Sequence, residues 1–145
     1  MPQSLARLYV HVAFSTLGRQ PTIGEPDALH RYIGGICRNR KCPSLIVGGV
    51  ADHVHILLEL SRTEPIADLV KEVKRSSSIH MKQANAAFSW QSGYGAFSVG
   101  RNEIEQVRDY IRRQPEHHAT VSFQDEFRTL LTEFGMECDE RYVWD

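Results

Sequence analysis

His53 and His55, one valine apart, are the residues of this chain best suited to chemistry. They lie in the run Gly48-Gly49-Val50-Ala51-Asp52-His53-Val54-His55-Ile56-Leu57-Leu58-Glu59-Leu60, which is apolar, β-branched and bounded by glycines, and so reads as a strand. Alternate side chains of a strand share a face, which sets both imidazoles on one side and Val54 and Ile56 on the other. Two imidazoles on a rigid strand can hold one metal ion. The same pair, taken alone, also fits the wet face of a half-buried strand. Tyr110 and Gln114 are spaced to share a helix face about one turn apart. Where such a helix packs near the histidine strand, two imidazoles, one amide oxygen and one phenol converge. Three neutral ligands leave a divalent cation its full charge for polarising a phosphate oxygen. The phenol is then a candidate nucleophile, weak at neutral pH with a solution pKa of about 10 unless charge is stabilised beside it.

The elements that must position these groups follow from periodicity. Arg7 to Ser15 alternates with aromatic and β-branched residues and reads as a first strand. Pro26 and Asp27 open a helix through Leu29, Ile33, Ile36 and Cys37. Ser44 to Val50 is a second strand, turning through Ala51-Asp52 into the histidine strand. Thr63 is expected to cap a second helix, with Glu64 and Pro65 in its first turn and Ile66, Leu69, Val70 and Val73 on one face. Trp90 to Gly100 reads as a fourth strand. Asn102 is expected to cap a third helix through Ile104, Val107, Tyr110 and Ile111, ending near Gln114 because Pro115 disfavours helical geometry before it. A last helix starts at Ser122, carries an apolar stripe from Phe123 to Phe134 and stops at Gly135. The order β-α-β-β-α-β plus two helices predicts an α+β, ferredoxin-like (RRM-like) antiparallel sheet with helices on one face and additional C-terminal helices.

The 145 residues are 24% charged and 41% hydrophobic, the profile of one soluble globular domain. No apolar run reaches membrane-spanning length, the first residues lack the layout of a signal peptide, and a cytoplasmic location is expected. Cys37, Cys42 and Cys138 form no Cys-x-x-Cys pair and read as reduced structural thiols. The net charge of −1 hides an asymmetry. Residues 1–115, the core and candidate nucleophile helix, carry 15 Lys and Arg against 10 Asp and Glu; residues 116–145, the last helix and an acidic tail, carry 2 against 8. A polyanion can bind the basic part through a local patch.

Several separate segments resemble one family. His53-Val54-His55 after Gly49-Val50-Ala51-Asp52, the Trp90 to Val99 stretch, and Tyr110-Ile111-Arg112-Arg113-Gln114 resemble the single-tyrosine transposases of the HUH superfamily, the small enzymes of insertion-sequence-200-like elements. Val12 to Thr16, the helix Val70 to Ser77, and Ser122 to Phe127 continuing to Asp139 through Trp144 resemble theirs too, so the likeness covers nearly the whole chain. It implies His53, His55 and Gln114 as ligands of Mg²⁺ or Mn²⁺. It implies Tyr110 as the nucleophile that cleaves single-stranded DNA at hairpin-marked element ends, keeps the 5′ phosphate as a phosphotyrosine and releases a 3′ hydroxyl. A homodimer is implied as well, in which the tyrosine helix can complete the partner's site. Two histidine ligands suit Mn²⁺ or Zn²⁺ better than the oxygen-seeking Mg²⁺, so strong Mn²⁺ activity is expected.

Around that site Lys71, Lys74, Arg75 and Ser77 become candidate phosphate contacts, and Arg112 and Arg113 can steer the strand. Each of these also fits a solvated helix face. Trp90, Tyr94 and Phe97 are expected in the core. His117 and His118 could be further ligands but, following Pro115 in an acidic linker, are expected to be solvated or to pack on a helix; His11, His30 and His80 receive no special role; Asp52 could orient an imidazole, but lying on the opposite strand face it is expected to stabilise the turn. The stripe from Phe123 to Phe134 looks larger than a monomer needs, which suggests dimer packing. Two alternatives stand beside the transposase reading. One is a replication-initiator or relaxase nuclease of the same superfamily, which the short chain without a helicase segment disfavours. The other is non-enzymatic: a domesticated DNA-hairpin binder, or an RNA-binding ferredoxin-like module, which would want exposed aromatics where His53 and His55 stand. A two-histidine phosphoesterase would need two His-x-Ser/Thr motifs, and the sequence carries one, His118-Ala119-Thr120.

Overall fold

The computed structural model describes residues 2–145. Four strands, β1 (Tyr9–Ser15), β2 (Ser44–Val50), β3 (His53–Glu59) and β4 (Gly95–Val99), form one antiparallel sheet in the order β2-β3-β1-β4. Helices α1 (Pro26–Asn39) and α2 (Ile66–Lys82) fall between strands to give β-α-β-β-α-β, and α3 (Ile104–Arg112), α4 (Gln114–His117) and α5 (Phe123–Glu133) follow. The ferredoxin-like expectation therefore holds.

The two faces of the sheet bury different things. On one, Val12 and Phe14 of β1 and Val54, Ile56 and Leu58 of β3 pack with Leu29, Ile33 and Cys37 of α1 and Leu69, Val70 and Val73 of α2. The spacing of four along α1 brings its three residues onto one stripe. On the other face Ala13 and Phe97 meet Phe123, Phe127, Leu130 and Leu131 of α5, while Leu57 and Val99 meet Ile111 of α3. Phe123, Phe127, Leu130 and Leu131 of the stripe are thus buried within the chain, against the sheet and alongside Val143 and Trp144, while Phe134 at its end is 44% exposed.

Two glycines of β2 allow close backbone approaches, one of them by α3. A Cβ on Gly48 would lie 2.7 Å from the Ile111 side chain and 2.8 Å from its carbonyl, so only glycine admits the helix at that distance. Gly49 has φ +147°, and a Cβ there would sit 2.2 Å from the His53 carbonyl. Gly48 thereby lets the helix of Tyr110 pack against β2, and Gly49 lets β2 pass close to the backbone of His53 in β3.

Some boundaries differ from expectation. Only Gly95–Val99 of the Trp90 stretch joins the sheet, while Trp90 makes an isolated bridge to Thr16. The reason is Lys74, whose Nζ donates to the carbonyls of Gln91, Ser92 and Gly93 at 2.9, 3.0 and 2.6 Å and turns that segment away. Helix α2 starts two residues later than expected, with Pro65 rather than Thr63 at its cap, because the Thr63 hydroxyl is engaged with Ser61. A 3-10 turn at Arg101–Glu103 precedes α3, and Glu103 Oε1 accepts the Gly100 N–H at 3.0 Å, so Asn102 is not the cap. Ser122 does cap α5, its Oγ accepting from the Asp125 N–H, and Gly135 follows the helix at φ +64°.

Candidate active site

Strand alternation turns His53 and His55 onto the face covered by α3, α4 and α5, where both are fully buried. They are not on a wet face. Nδ1 of His53 lies 2.6 Å from Asp52 Oδ1 and Nε2 lies 2.8 Å from Gln114 Oε1. Nδ1 of His55 lies 2.7 Å from His11 Nε2, and its Nε2 lies 2.7 Å from Glu126 Oε1. Gln114 donates its Nε2 to Glu126 Oε2 at 2.9 Å, and the Tyr110 hydroxyl donates to the same carboxylate oxygen. His118 completes the group, with Nε2 3.1 Å from Glu126 Oε2. The structure brings Tyr110, Gln114, His53 and His55 together, although α3 ends at Arg112 and Gln114 opens α4 rather than sharing the helix of Tyr110.

The proton bookkeeping around His53 says what this cluster lacks. An Nδ1–H donated to the Asp52 carboxylate leaves Nε2 of a neutral ring as a lone pair. That lone pair faces Gln114 Oε1, itself only an acceptor because the amide nitrogen is committed to Glu126. Two acceptors 2.8 Å apart require a cation between them or a second proton on the ring. His118 makes the same demand. Its Nδ1 lies 2.6 Å from the Val121 carbonyl, and an Nδ1–H donated there leaves Nε2 of a neutral ring as a lone pair 3.1 Å from Glu126 Oε2. One ligand atom from each of His53, His55, His118 and Glu126 can be chosen so that all lie within 4.8 Å of one another. Imidazole nitrogens with an amide and a carboxylate oxygen suit a divalent ion such as Mn²⁺ or Zn²⁺. The donors present fit a metal.

The electrostatics follow from burial. Burial alone would raise the Glu126 carboxyl, but the adjacent His118 and His55 rings outweigh it and hold the group well below the carboxylate range. Burial lowers His55 against the pull of Glu126, and burial with His55 pushes His11 down to about 3, so His11 is a neutral ring at pH 7. For His118 burial works downward, yet the carboxylate wins and the ring is raised. Burial, then Glu126, raise the Tyr110 phenol above its ordinary value. A protonated phenol is therefore stored at the site, its residue part-buried beside a cavity of about 440 Å³ lined by Phe97, Val107, Leu130 and Phe134.

Four site residues escaped the sequence reading. Glu126 had a signal: it sits three residues after Phe123 and four before Leu130, a carboxylate inside an apolar stripe, and it is 3% exposed. Asp52 turns its carboxylate onto His53, the role that its neighbour position on the strand disfavours against turn stabilisation. His118 belongs to the metal-competent cluster rather than to solvent, and His11 is 4% exposed against His55. Neither had a local sequence signal, since β1 pairs with β3 only in three dimensions.

The residues offered for DNA are placed as follows. Lys71 is exposed on α2, and Arg75 is exposed but bonded to Glu72. Lys74 is held by three carbonyls and lies 5.0 Å from the Phe14 ring centroid, so its ammonium braces the fold. Ser77 is fully buried, donating to the Val73 carbonyl and accepting from the Trp90 indole. Arg112 and Arg113 are exposed and share Asp109.

Residues 4–114 match the profile of the family described as Transposase IS200 like. Solved structures share the fold. A candidate transposase of Deinococcus radiodurans R1 is 22% identical with a TM-score of 0.63, covering 79% of this chain and 95% of that one. A REP-associated tyrosine transposase bound to a REP hairpin is 15% identical with a TM-score of 0.62, covering 83% of this chain and 74% of that one. No curated protein gives a significant match. Among the described residues, no helix is long and apolar enough to cross a membrane.

Proposed function

The chain belongs to the IS200-like transposase family, and from that membership and the site geometry we propose metal-dependent cleavage and rejoining of single-stranded DNA through Tyr110. The observation that carries this reading is the convergence of the Tyr110 hydroxyl, the Gln114 amide and two buried imidazoles on one carboxylate-bearing centre. His53, His55 and Gln114 are the residues that would hold Mg²⁺ or Mn²⁺. When bound, the ion would polarise a non-bridging oxygen of the scissile phosphate and stabilise charge built up there.

The chain's own groups do the rest. Asp52 orients His53 from behind, and His11 does the same for His55, which fixes the rings before DNA arrives. Glu126 holds the Tyr110 hydroxyl and is placed to receive its proton as the oxygen attacks phosphorus. The 5′ phosphate stays on Tyr110 and a 3′ hydroxyl leaves. The phosphotyrosine keeps the diester's energy, so a 3′ hydroxyl of another strand displaces the tyrosine and reseals DNA.

Hairpin-marked ends are the proposed substrate, a reading supported by the fold shared with a transposase bound to a REP hairpin. A homodimer rests on the resemblance to single-tyrosine transposases; Phe123, Phe127, Leu130 and Leu131 of α5 lend it no support because they are buried within the chain. Within one chain Tyr110 already reaches the carboxylate bonded to His55, which favours use of its own site. Exposed Lys71, Arg112 and Arg113 are the proposed backbone contacts.

The test is cleavage of labelled single-stranded hairpin oligonucleotides from the flanks of the gene, with Mn²⁺ or Mg²⁺ and with EDTA. Metal-dependent cleavage that leaves a free 3′ hydroxyl is the expected result. Hairpin binding without cleavage under any divalent ion would instead make the chain a hairpin-binding protein.

A further inference from the structure

We infer that the metal site of this chain is larger than a His-x-His pair with a glutamine: Glu126 and His118, from α5 and the segment before it, are additional ligands. The inference rests on the metal-dependent reading above and deepens it. Glu126 Oε1 lies 2.7 Å from His55 Nε2 and 3.7 Å from His53 Nε2, so one carboxylate oxygen faces both imidazoles across the gap an ion would fill. His118 Nε2 is buried, its side chain 6% exposed, and lies 3.1 Å from Glu126 Oε2, beside the two imidazoles. Its ring plane is fixed by the Nδ1 contact to Val121, which aims Nε2 into the same space. In a tetrahedral or octahedral site with bonds of about 2.1 Å, neighbouring donors stand about 3 Å apart, the scale of this cluster.

The consequence is chemical. Three imidazoles and one carboxylate form a harder-to-strip, transition-metal site with one negative charge, whereas two imidazoles and an amide form a weak neutral one. Glu126 also accepts the Tyr110 hydroxyl on its other oxygen. One carboxylate thus spans the ion and the nucleophile, and α5 becomes part of the metal centre rather than a lid over it.

The test titrates metal-free protein with Mn²⁺, reading free ion by EPR, for the native chain, Glu126→Gln, His118→Ala and the double variant His53→Ala/His55→Ala. Thermal melts confirm that each variant folds. About 100-fold weaker binding in Glu126→Gln and about tenfold in His118→Ala is expected, by analogy with the losses seen when metal-site groups are removed. Pulsed EPR of the native chain supplies a measure that needs no Glu126 variant: couplings from three imidazole nitrogens are expected, falling to two in His118→Ala. Native binding that survives Glu126→Gln unchanged, with two imidazoles coupled, overturns the inference and leaves His53, His55 and Gln114 as the ligands. No Mn²⁺ binding by the folded native chain overturns both the inference and the metal-dependent reading.

Discussion

The two faces of β3 are the same seven residues put to opposite uses. Val54, Ile56 and Leu58 point into a dry apolar layer under α1 and α2, where burial raises the Cys37 and Cys42 thiols. His53 and His55 point the other way, equally buried, into a network in which most polar atoms find another. Burial stabilises the first face and loads the second with polar groups that are costly unless paired. The contrast teaches that the fold is carried by one side of the sheet and the chemistry by the other. Variants on adjacent residues of one strand should therefore separate the two.

The largest expected effect is on the polar face. Tyr110→Phe should abolish DNA cleavage, a loss of about three orders of magnitude or more, while the melting temperature changes by only a few degrees. His53→Ala and His55→Ala should each remove metal-dependent cleavage in the same gel assay. On the opposite face, Ile56→Ala should cost about 2–4 kcal/mol in urea unfolding, yet the folded fraction should still cleave. If Ile56→Ala instead kept stability and lost cleavage, the division between faces would be broken.

Lys74 sharpens the comparison from the edge of the apolar layer. Its ammonium holds the Gln91–Gly93 carbonyls, so Lys74→Met should cost about 1–3 kcal/mol and leave the salt dependence of DNA binding unchanged. Burial pushes Lys74 down to about 8 from its ordinary 10.5. Between those values the unfolded chain binds the proton that the folded chain has released, so stability should rise with pH across that window. The rise should be absent in Lys74→Met, as read from urea midpoints at pH 7.5 and 9.5. Smallest of all, Arg112→Ala and Arg113→Ala should each reduce the salt slope of DNA affinity by about one and weaken all sequences alike.

Much of this was legible in the sequence. Alternation in His53 to Leu58 and the fourfold spacing in α1 gave the sheet and its covering helices, and Tyr110 with Gln114 gave half the site. What escaped notice arises from contacts between distant segments. His11 meets His55 only because β1 pairs with β3, and His118, at the end of the short α4, reaches Glu126 of α5 only in the folded chain. Glu126 was visible as a charge within an apolar stripe, but a stripe read for packing hides the residue that breaks it. Lys74 looked like a phosphate contact because helix periodicity cannot report a loop that folds over a side chain.

The most direct test of the central claim is to trap the covalent product of a cleavage reaction and map it by mass spectrometry of tryptic peptides. A 5′-phosphonucleotide on Tyr110, in the peptide spanning Asp109 to Arg112, formed only with divalent metal, is the predicted result. Cleavage with no protein adduct, or an adduct on any other residue, would contradict it.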